Sequence, residues 1–380
     1  MANKQTLNVA VIGLGMGRGH LDSYLNNPRA RVVGICDTDT ARLAEQQKKA
    51  KLPDDRCFTD YKAMLARTRE LGLQAVSVAL PNVLHCPVTC DCFRAGLHVL
   101  CEKPMAMNVK QARQMLAASE RAGRKLMINF SFRFREQSAL LKRYVDSGAI
   151  GQIYFGRTAW HRRRGLPKFG GWFGLKELSG GGPIIDLGVH RLDLAMWLMG
   201  SPRPVSVSGS TYGALAARLA TEQKKAFDVE DLGCALIRFD NGATLIMEAS
   251  WAGFSEKAED MVTQLYGTHG GIIQRNVGEG YDFEARAYTE QAGGGLWELR
   301  LQQAGFKAPS AYEEFVSAVL EDRQPSATGQ HGLDVQAILD GIYKSAATGK
   351  EIRMAAGTGK AAVRVTAGKP SCPFVTPKRA

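Results

Sequence analysis

The chain has 380 residues, of which 45% are apolar and 23% are charged, and its formal net charge is +12. This length predicts about two domains of the usual ~100–200 residues each. The apolar runs are shorter than the roughly 18 residues that span a bilayer, and the N-terminus leads into a strand without a secretory segment. We therefore expect a cytoplasmic protein with no membrane partner.

The positive charge is concentrated in the tail over residues 355–380 and in the run Arg162-Arg163-Arg164. The sequence contains no recognised nucleic-acid-binding motif and no interleaved aromatic and basic pattern. Solubility or an anionic ligand accounts for this charge. We expect no nucleic-acid partner, and we expect residues 355–380 to form a basic tail outside the folded domains.

The first predicted strand, Leu7–Ile12, is apolar and rich in β-branched residues. A glycine-rich turn follows, and a helix is predicted from about Leu21. This order suits a dinucleotide pyrophosphate, because glycines let the backbone approach the phosphates and the helix N-terminus supplies free N–H groups. Arg18 stands where the usual spacing has its third glycine. The candidate phosphate-binding residues are Gly13, Gly15, Met16, Gly17 and Arg18.

A carboxylate follows the second predicted strand, Arg31–Cys36. Asp37 lies about 20 residues beyond the glycine turn, where the ribose of a dinucleotide is usually bound. The alternative is that Asp37 only caps a helix or a turn. An acidic residue at this position would repel the 2′-phosphate of NADP, which favours NAD. The nearby Arg42 leaves NADP possible.

Strands and helices continue to alternate as far as Phe130. This alternation predicts a doubly wound, mostly parallel sheet, in which ligands bind beyond the carboxyl ends of the strands. The remaining elements predicted here are strands 75–80, 97–101 and 125–130 and helices 83–95 and 108–122. Several polar or rigid residues follow strands, so we expect them to surround one cleft. They are Asp37, Pro81, Asn82, Glu102 and Lys103.

Lys103 is the first candidate catalytic residue. It ends a buried strand, with Glu102 before it and the rigid Pro104 after it. Near a nicotinamide, its ammonium group could donate a hydrogen bond to an alcohol or carbonyl oxygen. The alternative is a solvated surface lysine, which is the commoner fate of a single lysine. The position at a strand end in a cofactor cleft favours the catalytic interpretation.

Beyond Phe130 the pattern changes, and strands and hairpins predominate from Gly151 onwards. The Asp240-Asn241-Gly242 turn between two alternating runs predicts a hairpin. We predict a second, α+β domain with a large, open, mostly antiparallel sheet, closed by two late helices. The predicted division is therefore 1–130 for the doubly wound domain, 131–354 for the second domain and 355–380 for the tail. The predicted late helices are 311–321 and 333–347.

The second candidate catalytic stretch is Gly180–Asp193, in which three glycines and a proline precede an apolar helix. Asp186, His190 and Asp193 are spaced by four and three residues, which places them on one face of an α-helix. Three interpretations compete: a buried structural pair, a metal site, and an acid–base histidine held by a carboxylate. We expect no metal, because no further His or Cys cluster supports one. The adjacent cofactor cleft favours acid–base chemistry.

The ordered set of motifs resembles the Gfo/Idh/MocA oxidoreductase family from Val9 to about Arg353. The resemblance implies an N-terminal Rossmann domain that binds NAD or NADP, and a C-terminal domain whose open sheet often makes a dimer or tetramer contact. It also implies roles for matched residues. Pro81, Asn82, His85, Glu102 and Lys103 would bind the cofactor, Lys103, Asp186 and His190 would catalyse, and Arg133 would lie near the substrate.

The family resemblance implies hydride transfer between nicotinamide and a secondary alcohol or ketone of a sugar, sugar derivative or cyclitol. His190 would take the hydroxyl proton, and Lys103 would hydrogen-bond the same oxygen or act as the base itself. Asp186 would orient a substrate hydroxyl or the imidazole. Two alternatives remain: a redox-neutral glycosidase or lyase that oxidises its substrate transiently, and a non-enzymatic NAD-binding sensor.

The loop over residues 160–173 precedes the catalytic stretch and is the predicted substrate selector. Its aromatic residues could stack on a sugar face, and its arginines could hold a carboxylate or phosphate. Alternatively, the aromatics pack the loop and the arginines are solvated. The candidate substrate-binding residues are Arg133, Trp160, Arg162, Arg164, Trp172, Phe173, Asp186 and His190.

Overall fold

The computed structural model describes residues 6–291 and 294–354. The basic tail predicted over 355–380 lies outside these residues. Two sheets organise the described chain, one of six strands and one of nine. No helix in the described ranges is long and apolar enough to cross a membrane.

The first sheet is parallel throughout and confirms the predicted doubly wound architecture. Its strands are β1 (Leu7–Ile12), β2 (Ala30–Cys36), β3 (Cys57–Phe58), β4 (Ala75–Val78), β5 (His98–Cys101) and β6 (Leu126–Ile128). Their order is β3-β2-β1-β4-β5-β6. The sheet carries helices on both faces, so its strands are near-continuous apolar runs. These helices are α1 (Gly17–Leu25), α2 (Thr40–Ala50), α3 (Tyr61–Ala66), α4 (Thr68–Leu71), α5 (His85–Arg94) and α6 (Val109–Ala122).

The register of the first sheet brings the carboxyl ends of its central strands together. Ile12 pairs with Cys36 on one side and with Val78 on the other, and Val78 pairs with Cys101. The residues that follow these strands therefore meet at one edge, as predicted for a ligand cleft.

The second sheet is mixed but mostly antiparallel, as predicted. Its order is β14-β13-β12-β11-β7-β10-β9-β8-β15, and β7 and β10 form its parallel pair. The strands are β7 (Ile153–Arg162), β8 (Pro204–Tyr212), β9 (Leu232–Phe239), β10 (Thr244–Ser250), β11 (Glu259–Gly267), β12 (Gly270–Asn276), β13 (Phe283–Gln291), β14 (Gly295–Arg300) and β15 (Ile352–Arg353).

Helices cover one face of the second sheet and join it to the first. The remaining helices are α7 (Glu136–Asp146), α8 (Lys176–Ser179), α9 (Val189–Leu198), α10 (Ala214–Gln223), α11 (Ala311–Leu320) and α12 (Gly329–Thr348). We predicted that the two late helices close the second domain, but α11 packs against α1 and β1, and α12 contacts both β8 and α6. The Arg29 guanidinium also donates to Ser317 Oγ at 3.1 Å and Glu321 Oε1 at 3.0 Å. The late helices therefore bridge the two sheets.

Candidate active site

The glycine turn after β1 is shaped by close contacts on one side and open space on the other. Gly13 has φ +87°, and a Cβ there would lie 2.3 Å from the Ala79 carbonyl oxygen. A Cβ on Gly17 would lie 3.0 Å from Val11 Cγ1, so this glycine lets α1 approach β1. Around Gly15, by contrast, the nearest atom to an added Cβ is 3.9 Å away. The open side is the place where a pyrophosphate fits.

The N-terminus of α1 has the donors that a dinucleotide requires. Helix α1 begins at Gly17 without an acidic residue in its first turn, so its N–H groups and dipole favour an anion. The Arg18 side chain folds back, and its Nε donates to the Gly15 carbonyl oxygen at 3.1 Å. The Met16 side chain is 73% exposed on the turn. These residues fit a bound dinucleotide.

Asp37 is held rigidly at the end of β2. Its Oδ2 accepts a hydrogen bond from the Leu14 N–H at 2.7 Å, and its Oδ1 accepts one from the Asp39 N–H at 2.8 Å. The Arg42 guanidinium lies 3.0 Å from Asp37 Oδ2 and 3.1 Å from Asp39 Oδ2. Two carboxylates therefore face one guanidinium, which leaves this end of the cleft negative.

Three predicted cofactor-binding residues fix the ends of the central strands. The side-chain amide of Asn82 donates to the Ser179 carbonyl oxygen at 2.6 Å and so joins the cleft to α8. His85 is fully buried, with its ring nitrogens 2.7 Å from the Pro104 carbonyl oxygen and 2.8 Å from that of Leu80. In sequence, Pro81 lies between Leu80 and Asn82, which make two of these contacts. In this structure His85 binds the backbone of two strand ends.

Glu102 belongs to a buried polar cluster that the sequence analysis missed. Its Oε1 lies 2.8 Å from His20 Nε2 and accepts a hydrogen bond from the Asn129 amide at 2.5 Å. Burial alone would raise the pKa of Glu102, but the His20 contact and the Lys103 charge lower it to about 2. Glu102 is therefore ionised. His20 could have been noticed from its position three residues after Gly17.

Lys103 and Asp186 meet across the cleft, although 83 residues separate them in sequence. The Lys103 ammonium donates to both the backbone oxygen and the Oδ1 of Asp186, each at 3.0 Å. Asp186 Oδ2 accepts a hydrogen bond from Trp251 Nε1 at 3.0 Å. Burial raises the pKa of Asp186, but the Lys103 charge and these hydrogen bonds lower it overall. The carboxylate is thus ionised and holds the ammonium in place.

His190 stands beside this pair and is kept neutral. Its ring lies 5.0 Å from that of Phe132 and 6.0 Å from that of Trp160, measured between ring centroids. Burial, followed by the Lys103 charge, lowers its pKa to about 3. Its Nδ1 is enclosed and has no hydrogen-bond partner within the described residues. The Nε2 atom is therefore the nitrogen that a substrate hydroxyl can reach.

The backbone around Asp186 differs from the predicted single α-helix. Ile184–Gly188 is a π-helical turn, and α9 begins only at Val189. We predicted that Asp186, His190 and Asp193 act from one helical face, but the structure does not bring all three to Lys103. Asp186 and His190 face Lys103, whereas Asp193 forms a separate buried ion pair.

Arg133, which we predicted beside the substrate, is bound by protein groups in this structure. Its guanidinium donates to Asp193 Oδ2 at 2.8 Å and to Oδ1 at 2.5 Å, and both side chains are almost fully buried. A third hydrogen bond, 2.7 Å long, goes to the Ser326 carbonyl oxygen. Arg133 therefore has a structural role, since its donors already bind protein groups.

The predicted substrate selector divides into residues beside His190 and residues on the loop. Trp160 Nε1 donates to Glu259 Oε2 at 2.6 Å, and Arg162 Nε donates to Glu259 Oε1 at 2.9 Å. Arg162 Nη2 also donates to the Tyr281 hydroxyl at 3.0 Å. We call Trp160, Arg162, Glu259 and Tyr281 the side-wall cluster. No short-range sequence pattern marks Glu259, at the start of β11, or Tyr281, in the connection between β12 and β13.

The other selector residues form part of the half-exposed loop. The rings of Trp172 and Phe173 stack with their centroids 3.9 Å apart. Arg164 is exposed. Among the described residues, no hydrogen bond or ion pair joins these three side chains to Lys103 or His190, whereas the loop backbone is bound beside the site, where the Gly165 N–H donates to the Trp251 carbonyl oxygen at 2.6 Å.

Comparison with known proteins matches both halves of the chain to one family. Residues 7–130 match the description "Oxidoreductase family, NAD-binding Rossmann fold", and residues 138–273 match "GFO/IDH/MocA C-terminal domain". D-glucoside 3-dehydrogenase of Escherichia coli K12 is 31% identical over 92% of this chain and 97% of its own length. Levoglucosan dehydrogenase of Pseudarthrobacter phenanthrenivorans is 28% identical over 90% of this chain and 97% of its own length.

Solved structures agree with this result. GenD2 from gentamicin A biosynthesis, crystallised with NAD, is 28% identical with a TM-score of 0.74, covering 93% of this chain and 97% of that one. Aldose-aldose oxidoreductase from Caulobacter crescentus, crystallised with glycerol, is 25% identical with a TM-score of 0.78. That match covers 92% of this chain and all of the other. The two-sheet architecture is therefore shared along nearly the whole chain.

Proposed function

The chain belongs to the Gfo/Idh/MocA family of oxidoreductases and carries its NAD-binding Rossmann fold, and we propose that it transfers hydride between NAD and a secondary alcohol or ketone of a neutral sugar or related polyol. One observation carries this proposal. Lys103 follows β5, at the same edge of the parallel sheet as the glycine turn. Its ammonium group is fixed at 3.0 Å from Asp186 and lies beside a neutral His190. A cation and a neutral base facing one oxygen are what alcohol oxidation requires.

The proposed mechanism assigns one task to each side chain. Bound NAD would supply the acceptor for the hydride of the substrate carbon, and NADH the donor in the reverse direction. His190 Nε2 would take the hydroxyl proton as the C–H hydride leaves and the C=O bond forms. Lys103 donates a hydrogen bond to the same oxygen and stabilises its developing negative charge. Asp186 orients the Lys103 ammonium, rather than the imidazole, through the contact at 3.0 Å.

A neutral substrate fits the charge balance of the side-wall cluster. The Arg162 guanidinium is paired with the Glu259 carboxylate at 2.9 Å, and Lys103 is paired with Asp186. Each cation already has a carboxylate counterion, so neither has an unbalanced charge for a substrate carboxylate or phosphate. The similarity to proteins named for glucosides and levoglucosan supports the same choice. We assign Trp160 and Arg162 to the substrate site, with Arg164, Trp172 and Phe173 on its outer loop.

The geometry around Asp37 supports NAD over NADP. The Arg42 guanidinium is already shared by two carboxylates, Asp37 and Asp39. A 2′-phosphate would compete with both carboxylates for one cation, whereas a 2′-hydroxyl can donate to Asp37. Gly13, Gly15, Met16, Gly17 and Arg18 would surround the pyrophosphate, and Pro81, Asn82, His85 and Glu102 would shape the nicotinamide end.

We also propose a cytoplasmic homodimer or homotetramer assembled through the uncovered face of the second sheet. Residues on this face alternate with the buried ones, and they include partly exposed apolar side chains beside charged ones such as Arg157. Neighbouring strands place Leu236 opposite Ile246. Phe155 contacts Tyr266, with ring centroids 5.6 Å apart. Exposed apolar side chains on an open sheet face, mixed with charged ones, are typical of a subunit interface. Sedimentation velocity of the full chain would measure its stoichiometry.

A substrate screen tests the proposed function. NAD reduction would be followed with neutral sugars, glycosides and cyclitols, and in parallel with sugar acids and sugar phosphates. We expect NADH to form in proportion to a keto product from a neutral compound. Release of a leaving group without net NADH would instead identify a redox-neutral glycosidase or lyase. Cofactor binding without turnover of any compound would identify a sensor.

A further inference from the structure

We propose that Glu230 is a positioning residue, which fixes the π-helical turn that carries Asp186. Glu230 lies just before β9, is 8% exposed and contacts neither Lys103 nor His190 in the described structure. It acts through the backbone of the turn. The inference rests on the proposed function, because its consequence is the placement of the Lys103 ammonium.

The Glu230 carboxylate binds the start of the turn with both oxygens. Its Oε2 accepts a hydrogen bond from the Gly182 N–H at 2.9 Å, and its Oε1 accepts one from the Ile184 N–H at 3.2 Å. The Tyr343 hydroxyl donates to the same Oε1 at 2.8 Å. A carboxylate that accepts several hydrogen bonds in a buried place is held in one orientation. The turn therefore starts from a fixed point.

The glycines of Gly180-Gly181-Gly182 make this contact possible. A Cβ on Gly182 would lie 2.1 Å from the Glu230 carbonyl oxygen, and a Cβ on Gly181 would lie 2.0 Å from the Tyr343 hydroxyl oxygen. Side chains at these two positions would therefore collide with the groups that hold the turn. The three-glycine motif thus serves close packing against Glu230 and Tyr343, not only flexibility.

The next residue, Asp231, holds Asp186 from the opposite side. The Asp231 carbonyl oxygen accepts a hydrogen bond from the Trp251 N–H at 3.0 Å, and the indole Nε1 of Trp251 donates to Asp186 Oδ2 at 3.0 Å. Glu230 therefore fixes the backbone before Asp186, and the next residue, Asp231, fixes Trp251, which binds the Asp186 side chain. The positions of the backbone oxygen and the Oδ1 of Asp186, which both accept from Lys103, depend on the position of this backbone.

A buried carboxylate could merely stabilise the fold, so the test must separate placement from stability. Lys103 donates to two acceptors on Asp186, so a shift of the turn by about 1 Å would lengthen both hydrogen bonds. A displacement of that size is expected to slow hydride transfer by about 100-fold. In Glu230→Gln, the amide NH₂ would face a backbone N–H. We expect the turn to move while the distant glycine turn still binds cofactor.

The experiment measures the single-turnover rate of NADH formation per NADH-binding site, with saturating NAD and the sugar found in the substrate screen. Glu230→Gln should lower this rate by about 10-fold to 100-fold and leave the NADH dissociation constant within about twofold. Glu314→Gln is the matched control, because Glu314 is also buried, accepts a backbone N–H from Ser326 and pairs with Arg323. It should lower stability but keep the wild-type rate per site.

Wild-type single-turnover rates in Glu230→Gln would overturn the proposal. If Glu230→Gln fails to bind NADH, Tyr343→Phe decides, because it removes only one hydrogen bond to the carboxylate. A several-fold slower rate in Tyr343→Phe supports the proposal, and an unchanged rate overturns it. A wild-type protein that oxidises no sugar would instead reject the proposed function, so the two failures are distinguishable.

Discussion

The ammonium of Lys103 lies 3.0 Å from both the backbone oxygen and the carboxylate Oδ1 of Asp186. Lys103 follows β5 of the parallel sheet, and Asp186 lies in the π-helical turn that packs against the second sheet. This contact therefore depends on how the two sheets are arranged. It also gives Asp186 a role that we did not predict, since we expected it to orient the imidazole or a substrate hydroxyl.

We predict that the buried pair of Arg133 and Asp193 supports stability but not chemistry. Asp193→Asn leaves the enclosed guanidinium without its counterion, which typically costs about 3–5 kcal/mol. The midpoint of urea unfolding should fall sharply, whereas the turnover rate per NADH-binding site should stay near that of the wild type. A variant with normal stability and a large increase in KM would instead place Arg133 at the substrate.

We predict that Asp37 selects the cofactor. Asp37→Ala removes the acceptor for a ribose hydroxyl and leaves the Arg42 guanidinium, which lies 3.0 Å from Asp37 in the wild type, with Asp39 as its one carboxylate partner of the two. The kcat/KM for NAD should fall by about 10-fold or more, and its ratio to that for NADP should fall further. Asp22→Ala serves as a control, because Asp22 is a partly exposed carboxylate on α1 that pairs with Lys49 and not with Arg42. An unchanged ratio in Asp37→Ala would contradict this assignment.

We predict that Glu259 keeps the substrate site neutral. Glu259→Gln removes the carboxylate that pairs with Arg162 at 2.9 Å but preserves the size of the side chain. The KM for the neutral substrate should rise several-fold, because one of the two oxygens that accept from Trp160 and Arg162 becomes an NH₂ donor. The matching sugar acid should become a better inhibitor. Equal inhibition of wild type and variant by that acid would exclude Arg162 from the substrate site.

We predict that His98 contributes to a decrease in the free energy of unfolding at acidic pH. Burial, followed by the charges of Arg124 and Lys125, lowers the pKa of His98 to about 4, below the ordinary value of 6.5. Between these values the unfolded chain binds more protons, so the free energy of unfolding falls as the pH falls through this window. Urea midpoints measured at several pH values should fall less steeply in His98→Asn. An identical pH dependence would show that His98 does not contribute.

The first sheet and its cofactor residues were predictable because their signals are local. A β-branched run, a glycine turn and an acidic residue after the next strand suffice to place Gly13, Gly15 and Asp37 at one edge. Lys103 could be placed by the same reasoning, because it follows a strand whose neighbours are parallel. In each instance, sequence spacing and sheet topology give the position without knowledge of distant contacts.

The rest of the site depends on contacts that spacing does not encode. Residues 184–188 read as an α-helix, and the π-helical turn arises where Glu230 binds the Gly182 and Ile184 N–H groups. Asp193 pairs with Arg133, which lies 60 residues away in sequence. Tyr281 reaches Arg162 across 119 residues of sequence. Long-range contacts of this kind override local periodicity.

The most direct measurement is the single-turnover rate of NADH formation in Lys103→Met and His190→Asn, with NADH binding measured on the same samples. Each variant should react at least about 100-fold more slowly than the wild type and still bind NADH. The exposed Lys110→Met should react normally. A rate within about threefold of the wild type in either site variant, measured per bound NADH, would contradict the proposal that these two residues act on one substrate oxygen.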